Sequence, residues 1–449
     1  MIKITPITTH EIADFLNVER PRDNVLIKEL SIDTREKFGE STCFIALDGE
    51  NFSGVDFIGD AIEKGAKCVI SNFKKVDDVS MICTFDTKKA LLSLASREIK
   101  NTKIIAVTGS VGKTTVKEMI SSILSQQYKV HSTYLNHNNE IGVAQTLFSL
   151  SNEDFCVVEM GMRGLGEIDR LASVCVPYIG VITNCGSAHI ERLGSKENIF
   201  YAKCELIKYT TDFAIVPFEA RFKKLDYSTS TPFFVGDGAD VELGRVVKDK
   251  TGMTIDIMDN ICDKILRIRV PSIFSCDATN ALFAYKVAKI CNVSDENIVK
   301  GFMDFKNCGS RGERIKIGNF EIVDDTYNAS FESVEQGIKS LTEYCNIINK
   351  ISILVMGDML EIGELTIEYH KKIGEIARKN GVDRLICFGE YSKFVCEGYQ
   401  GGNCISSREE IADFVLKNAP DSSVILLKAS RAMHFEKIID DLKEKFNEN

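Results

Sequence analysis

Residues 103–127, KIIAVTGSVGKTTVKEMISSILSQQ, constrain the fold more than any other stretch. Ile104, Ile105, Ala106 and Val107 form a continuous apolar run, the pattern of a strand buried on both faces. Val116, Met119, Ile120, Ile123 and Leu124 then recur at helical spacing, so a helix lays one face back on the sheet. Between them lies a glycine-bearing turn of Gly109, Ser110, Val111, Gly112, Lys113, Thr114 and Thr115. Strand, turn and helix in this order make a phosphate site. Backbone N–H groups at the helix N-terminus face an anion, Lys113 adds a full positive charge, and the Thr114 hydroxyl is placed for Mg²⁺. The spacing is Gly-x-x-Gly-Lys-Thr-Thr, and Val107 stands where the longer P-loop pattern has its first glycine. An ordinary βα turn is the competing reading, and the strand and helix on either side weigh against it.

At 449 residues the chain has room for about three domains. The expected divisions are 1–98, 99–308 and 309–449. The net charge of −10 argues against non-specific nucleic-acid binding and against an anionic membrane surface. The opening MIKITPITTHEIADFL shows no charged-then-apolar leader pattern, and no run of about 18 apolar residues follows. Fifteen cysteines without a C-x-x-C pair fit reduced, mostly buried thiols better than a disulfide framework. The expectation is a cytoplasmic monomer.

In the first unit, residues 43–47 and 68–70 read as strands and 57–64 as a short helix. Ser31, Asp33, Thr34 and Arg35 share one turn. The arginine could fork onto a diphosphate, but a solvated Asx-type turn explains the same residues. In the second unit the amide-rich loop Asn136–Gly142 can bind a ligand or cap the next helix. Residues 154–159 form an apolar strand ending in Glu159, where a carboxylate could hold Mg²⁺ or face solvent. His189 follows the strand 177–184, near the strand carboxyl ends where α/β proteins bind ligands. Lys203 reads as a solvated helix lysine, and Asn280 as a residue that caps or packs. Residues 253–257 and 266–270 alternate like half-exposed antiparallel strands and suggest a β-hairpin layer at the domain edge. The third unit alternates strands at 351–356, 385–388 and 424–427 with helices, a doubly wound pattern without G-x-G-x-x-G.

The combination SIDTRE, FIALDGENFSGVDFI, TGSVGKTT, NHNNEIGVAQTL and IERLGSKENIFYAKCEL resembles the Mur ligases. GSRGER, DDTYNAS, GDMLEIGE with His370, and KASR extend the resemblance through the third unit. It implies an α/β protein of three domains. These are a small α/β N-terminal domain, a central P-loop ATPase-like parallel sheet with the hairpin layer, and a C-terminal Rossmann-like domain. It also implies an ATP-dependent amide ligase that works through an acyl phosphate. The substrates would be ATP, a UDP-MurNAc-tripeptide and D-Ala-D-Ala. Ser31, Asp33, Thr34 and Arg35 would hold the uridine diphosphate end. The glycine turn, Arg311 and Asp325 would hold ATP, with Asn280 on the adenine and Asp325 on the ribose. Thr114 and Glu159 would bind one Mg²⁺; His189 and a carbamylated Lys203 would bind a second. Sister ligases adding a single amino acid, folylpolyglutamate-synthase-like ligases and a non-ligating nucleotide-binding regulator share parts of this pattern.

Overall fold

The computed structural model describes residues 1–49, 51–72, 79–186, 190–307 and 309–448, without the side chains of 447 and 448. The described residues build three sheets, of five, nine and six strands. The first contains β1 (Ile2–Thr8), β2 (Leu26–Ser31), β3 (Thr42–Ile45), β4 (Cys68–Ser71) and β5 (Ser80–Cys83), side by side in chain order. Only the β1–β2 pair is antiparallel. Residues 46 and 47, apolar like those before them, lie past the end of β3, although Ala46 N–H still donates to Ile70 O at 2.9 Å. The segment 57–64 forms the helix Ile58–Glu63 behind a 3-10 turn, Gly54–Phe57.

The second sheet contains β6 (Lys103–Thr108), β7 (Val130–Ser132), β8 (Phe155–Glu159), β9 (Ile179–Ile182) and β10 (Phe213–Pro217). It continues through β11 (Thr231–Val235), β12 (Val241–Asp249), β13 (Gly252–Asp259) and β14 (Lys264–Val270). Across the sheet the order is 14-13-12-11-10-9-6-8-7. β6 is therefore flanked by β9 on one side and β8 on the other, and the chain leaves it in opposite directions. Such a switch point opens a crevice at the carboxyl ends of the strands. The register places Val107 beside Glu159 and Thr108 beside Ile182. The residues that follow each of these strands consequently meet at one place. The alternating segments lie in β13 and β14, which with β12 extend the same sheet as antiparallel edge strands.

The helix Lys113–Leu124 buries Val116, Met119, Ile120, Ile123 and Leu124 against Ile105, Val107, Val157 and Val181. Each such side chain contributes about 1.5–3 kcal/mol of apolar burial. The helix Asp295–Asp304 reaches the same helix at Gly301, where a Cβ would fall 2.4 Å from the Ile123 Cα. Only glycine permits that approach.

The third sheet contains β15 (Glu313–Ile317), β16 (Phe320–Asp324), β17 (Ser352–Met356), β18 (Arg384–Cys387), β19 (Asn403–Cys404) and β20 (Val424–Lys428). Its order is 15-16-20-17-18-19, parallel except for the β15–β16 hairpin. Among the described residues no helix is long and apolar enough to cross a membrane.

Candidate active site between the three sheets

A cavity of about 1670 Å³ lies where the three units meet, lined by residues of each. Its floor is the turn between β6 and the helix Lys113–Leu124. Gly109 (φ +154°) and Gly112 (φ +84°) occupy backbone regions that suit glycine, and both are closely packed. A Cβ on Gly109 would fall 2.0 Å from Thr183 Oγ1, and one on Gly112 would fall 2.6 Å from Asn280 Oδ1. The loop is clamped from β9: Val111 N–H donates to Asn184 Oδ1 at 3.0 Å, and Val111 O accepts from Thr183 Oγ1 at 2.6 Å.

Glu159 is fully buried at the end of β8. Its carboxylate accepts from Thr114 Oγ1 at 2.6 Å and from Asn138 Nδ2 at 2.7 Å. The amide-rich loop divides its labour. Asn138 reaches Glu159, whereas Asn139 caps the helix Glu140–Phe148 by accepting from Gly142 N–H.

Lys113, Lys203, Arg311 and Lys428 are among the cations that line the cavity. Lys113 Nζ donates to Gly109 O at 2.8 Å and to Ser110 O at 3.3 Å. Burial pushes its ammonium down; Glu159 opposes the shift and Arg311 adds to it. Lys203, only 2% exposed, is pushed down to about 7 by burial, then by the charge of Lys113. Arg311 stacks 3.6 Å over the Tyr327 ring, and its buried Nη1 has no hydrogen-bond partner among the described residues. Lys428, at the end of β20, donates to Asp325 Oδ2 at 2.6 Å and to Asn328 O at 3.1 Å. Burial pushes the Asp325 carboxyl up, and Lys428 opposes it.

Asn280 Nδ2 donates to Asp277 Oδ1 at 3.0 Å, which fixes the amide orientation above Gly112. Burial pushes the Asp277 carboxyl up to about 6. His370 is a buried structural residue: its Nε2 accepts from Met359 N–H at 3.0 Å and pins the segment after β17.

Lys113, Thr114, Glu159, Lys203, Asn280, Arg311 and Asp325 thus line one cavity, together with the rest of the 109–115 turn. His189 lies outside the described residues. The 31–35 turn stands at the margin: Ile32 lines the cavity, and Ser31, Asp33, Thr34 and Arg35 do not. Arg35 folds onto Asp33, Nη2 to Oδ2 at 2.6 Å, and holds that carboxyl down to about 2. Sequence reasoning passed over Asn184, Thr183, Tyr327 and Asp277. Thr183 and Asn184 meet Val111 from a distant strand and Tyr327 meets Arg311 across a β-hairpin, contacts that no local pattern marks, whereas Asp277 meets Asn280 within one helical turn.

A phosphate-gripping loop at the switch point of a parallel sheet, faced by an arginine from another domain-sized sheet, defines a multidomain nucleotide-dependent α/β enzyme. Residues 107–288 match the Mur ligase middle domain, and residues 310–431 match the Mur ligase glutamate ligase domain. The chain is 33% identical over 440 residues to the UDP-N-acetylmuramoyl-tripeptide–D-alanyl-D-alanine ligase of Bacillus subtilis, covering 94% of each. It is 34% identical over 378 residues to the ligase of the same name from Synechocystis, covering 82% of this chain and 81% of that one. A crystal structure of MurF from Acinetobacter baumannii superposes with a TM-score of 0.89 at 27% identity, over 99% of this chain and all of that one. This chain belongs to the Mur ligase family.

Proposed function

We propose that this chain is an ATP-dependent amide ligase that joins D-alanyl-D-alanine to a UDP-N-acetylmuramoyl tripeptide in peptidoglycan precursor synthesis. One observation carries the reading. Lys113 and Arg311, from different sheets, converge on a glycine loop with an unpaired buried guanidinium nitrogen, a constellation that suits a polyphosphate. The full-length likeness to ligases of that activity supplies the substrates.

The tripeptide carboxylate attacks the γ-phosphorus of ATP; its bond to the β-bridging oxygen breaks, and ADP leaves. The amine of the dipeptide, having lost its proton, attacks the resulting acyl phosphate, and inorganic phosphate departs. The protein's part is placement and charge neutralisation. The N–H groups of the 109–115 turn and Lys113 hold the phosphate chain. Arg311 approaches it from the opposite wall, Asn280 meets the base, and Asp325 meets the ribose.

The donor set fits Mg²⁺: a fully buried carboxylate beside a hydroxyl, Glu159 with Thr114. Lys203 and His189 would serve a second ion once Lys203 is carbamylated. Bound Mg²⁺ supplies charge neutralisation on the phosphate oxygens. A lysine buried beside other cations, as Lys203 is, suits a modification that turns it into an anion. The proposed division of labour is 1–98 for the uridine diphosphate end, through the 31–35 turn, 99–308 for ATP and 309–449 for the amine.

A coupled ADP-release assay on the full chain tests the proposal. ADP formation with ATP and the tripeptide nucleotide should depend on D-Ala-D-Ala. Turnover with single amino acids in its place would point to a sister ligase. Nucleotide binding without acceptor-dependent ADP release would overturn the ligase reading.

A further inference from the structure

Three cysteines converge at the edge of the third sheet. Cys387 ends β18, Cys404 ends β19, and the two are neighbours in the parallel ladder. Cys396 belongs to the helix Ser392–Tyr399, which packs against both strands. The chain reverses direction between this helix and β19 through Gln400 and Gly402, both at positive φ. That reversal brings Cys396 Sγ to 3.0 Å from Cys404 Sγ. Cys387 is buried, Cys396 half-buried and Cys404 exposed, so solvent reaches only the last two. None of the three lines the central cavity. Among the described residues no three His, Cys, Asp or Glu side chains are placed to hold a metal, which leaves sulfur chemistry.

We infer that Cys396 and Cys404 form a dithiol site that a peroxide converts to an intramolecular disulfide, with Cys396 as the attacking sulfur and Cys404 as the resolving one. The neighbouring thiols, Cys387 foremost, hold the Cys396 thiol below its ordinary range, which favours its thiolate. Burial and the bond to Cys396 push the Cys404 thiol up, which orders the two roles. In the first step the Cys396 thiolate attacks a peroxide oxygen. With hydrogen peroxide an S–O bond forms, the O–O bond breaks, and the departing hydroxide takes a proton to become water. In the second step Cys404 gives its proton to solvent and attacks the sulfenic sulfur. The S–S bond forms, and hydroxide leaves as water. The two thiols together lose two electrons and the peroxide gains them. The sulfurs have to close by about 1 Å to reach bonding distance.

The test treats the full chain at pH 7 with substoichiometric hydrogen peroxide and maps each cysteine by isotope-coded alkylation and peptide mass. Cys262 is an internal control, because it too is exposed but burial and Asp259 push its thiol up. Cys396 and Cys404 should disappear together, at roughly ten times the rate of Cys262. The segment 394–408, which holds both sulfurs, should appear lighter than its reduced form by two hydrogens and take up no alkylating label. Cys404→Ser should instead accumulate a sulfenic acid at Cys396. A cross-link to Cys387, or Cys396 reacting no faster than Cys262, would overturn the inference. The wild-type competition stands even where a serine variant folds poorly.

Discussion

Lys203 should take up carbon dioxide at neutral pH. Its amine lies on the helix Lys196–Tyr209, almost wholly buried, with Lys113 the charge that acts on it most strongly. Those surroundings bring it from an ordinary 10.5 down to about 7. At pH 7 about half the molecules would carry the neutral amine, against about 1 in 3,000 for an ordinary lysine. The reactive form is thus enriched about 1,500-fold. The neutral nitrogen attacks carbon dioxide, an N–C bond forms, and one proton is released. The assay is ¹³C NMR of the full chain equilibrated with labelled bicarbonate at fixed dissolved carbon dioxide. A carbamate signal should build with a midpoint near pH 7 and be lost in Lys203→Met. A signal that survives in Lys203→Met, or that rises only toward pH 10, would refute the reasoning. Stability carries the same sign. The folded state binds this proton more weakly than the unfolded chain, so the unmodified protein loses stability as pH falls from 10.5 toward 7.

Lys113→Met should lower ADP release by about 10²–10³-fold, the scale of removing one preorganised stabiliser of transition-state charge, while the thermal midpoint holds. Equal activity would remove the loop from the chemistry. Lys117, fully buried on the same helix, donates to Thr133 O at 2.6 Å, and Thr133 Oγ1 accepts from Glu159 N–H at 3.0 Å. Lys117→Met leaves that carbonyl buried and unpaired, so urea unfolding should show a loss of about 1–3 kcal/mol; an unchanged midpoint would contradict it. Gly112→Ala places a methyl 2.6 Å from Asn280 Oδ1 at a φ of +84°. Nucleotide affinity, read by fluorescent-analogue titration, should fall at least tenfold, and wild-type affinity would show that the loop is not the binding element.

The strand–turn–helix at 103–127 was legible because all its determinants are local. A four-residue apolar run, two glycines and a 3.6-residue period need no knowledge of the rest of the chain. Glu159 was visible as a strand-end acid, but its neighbours were not. Thr114 lies 45 residues away and meets it only through the β6–β8 register. Asn136–Gly142 left ligand contact and capping both open, and the fold uses Asn138 for the site and Asn139 for the cap. Lys203 looked like a solvated helix lysine, since helical spacing alone does not say which side of the helix the sheet beneath it will cover. Lys428 could be seen only as part of a turn; its bond to Asp325 crosses from β20 to the end of β16, a pairing set by sheet order. The hairpin β15–β16 escaped notice because its strands are five residues each and highly charged in the first.

The account rests on a triphosphate held between the 109–115 turn and Arg311. A crystal structure of the full chain with Mg²⁺ and a non-hydrolysable ATP analogue tests this most directly. The account predicts that Lys113 Nζ leaves the Gly109 and Ser110 carbonyls for phosphate oxygens, and that Arg311 Nη1 gains a phosphate partner. A triphosphate bound elsewhere, with Lys113 still on those carbonyls, would contradict it.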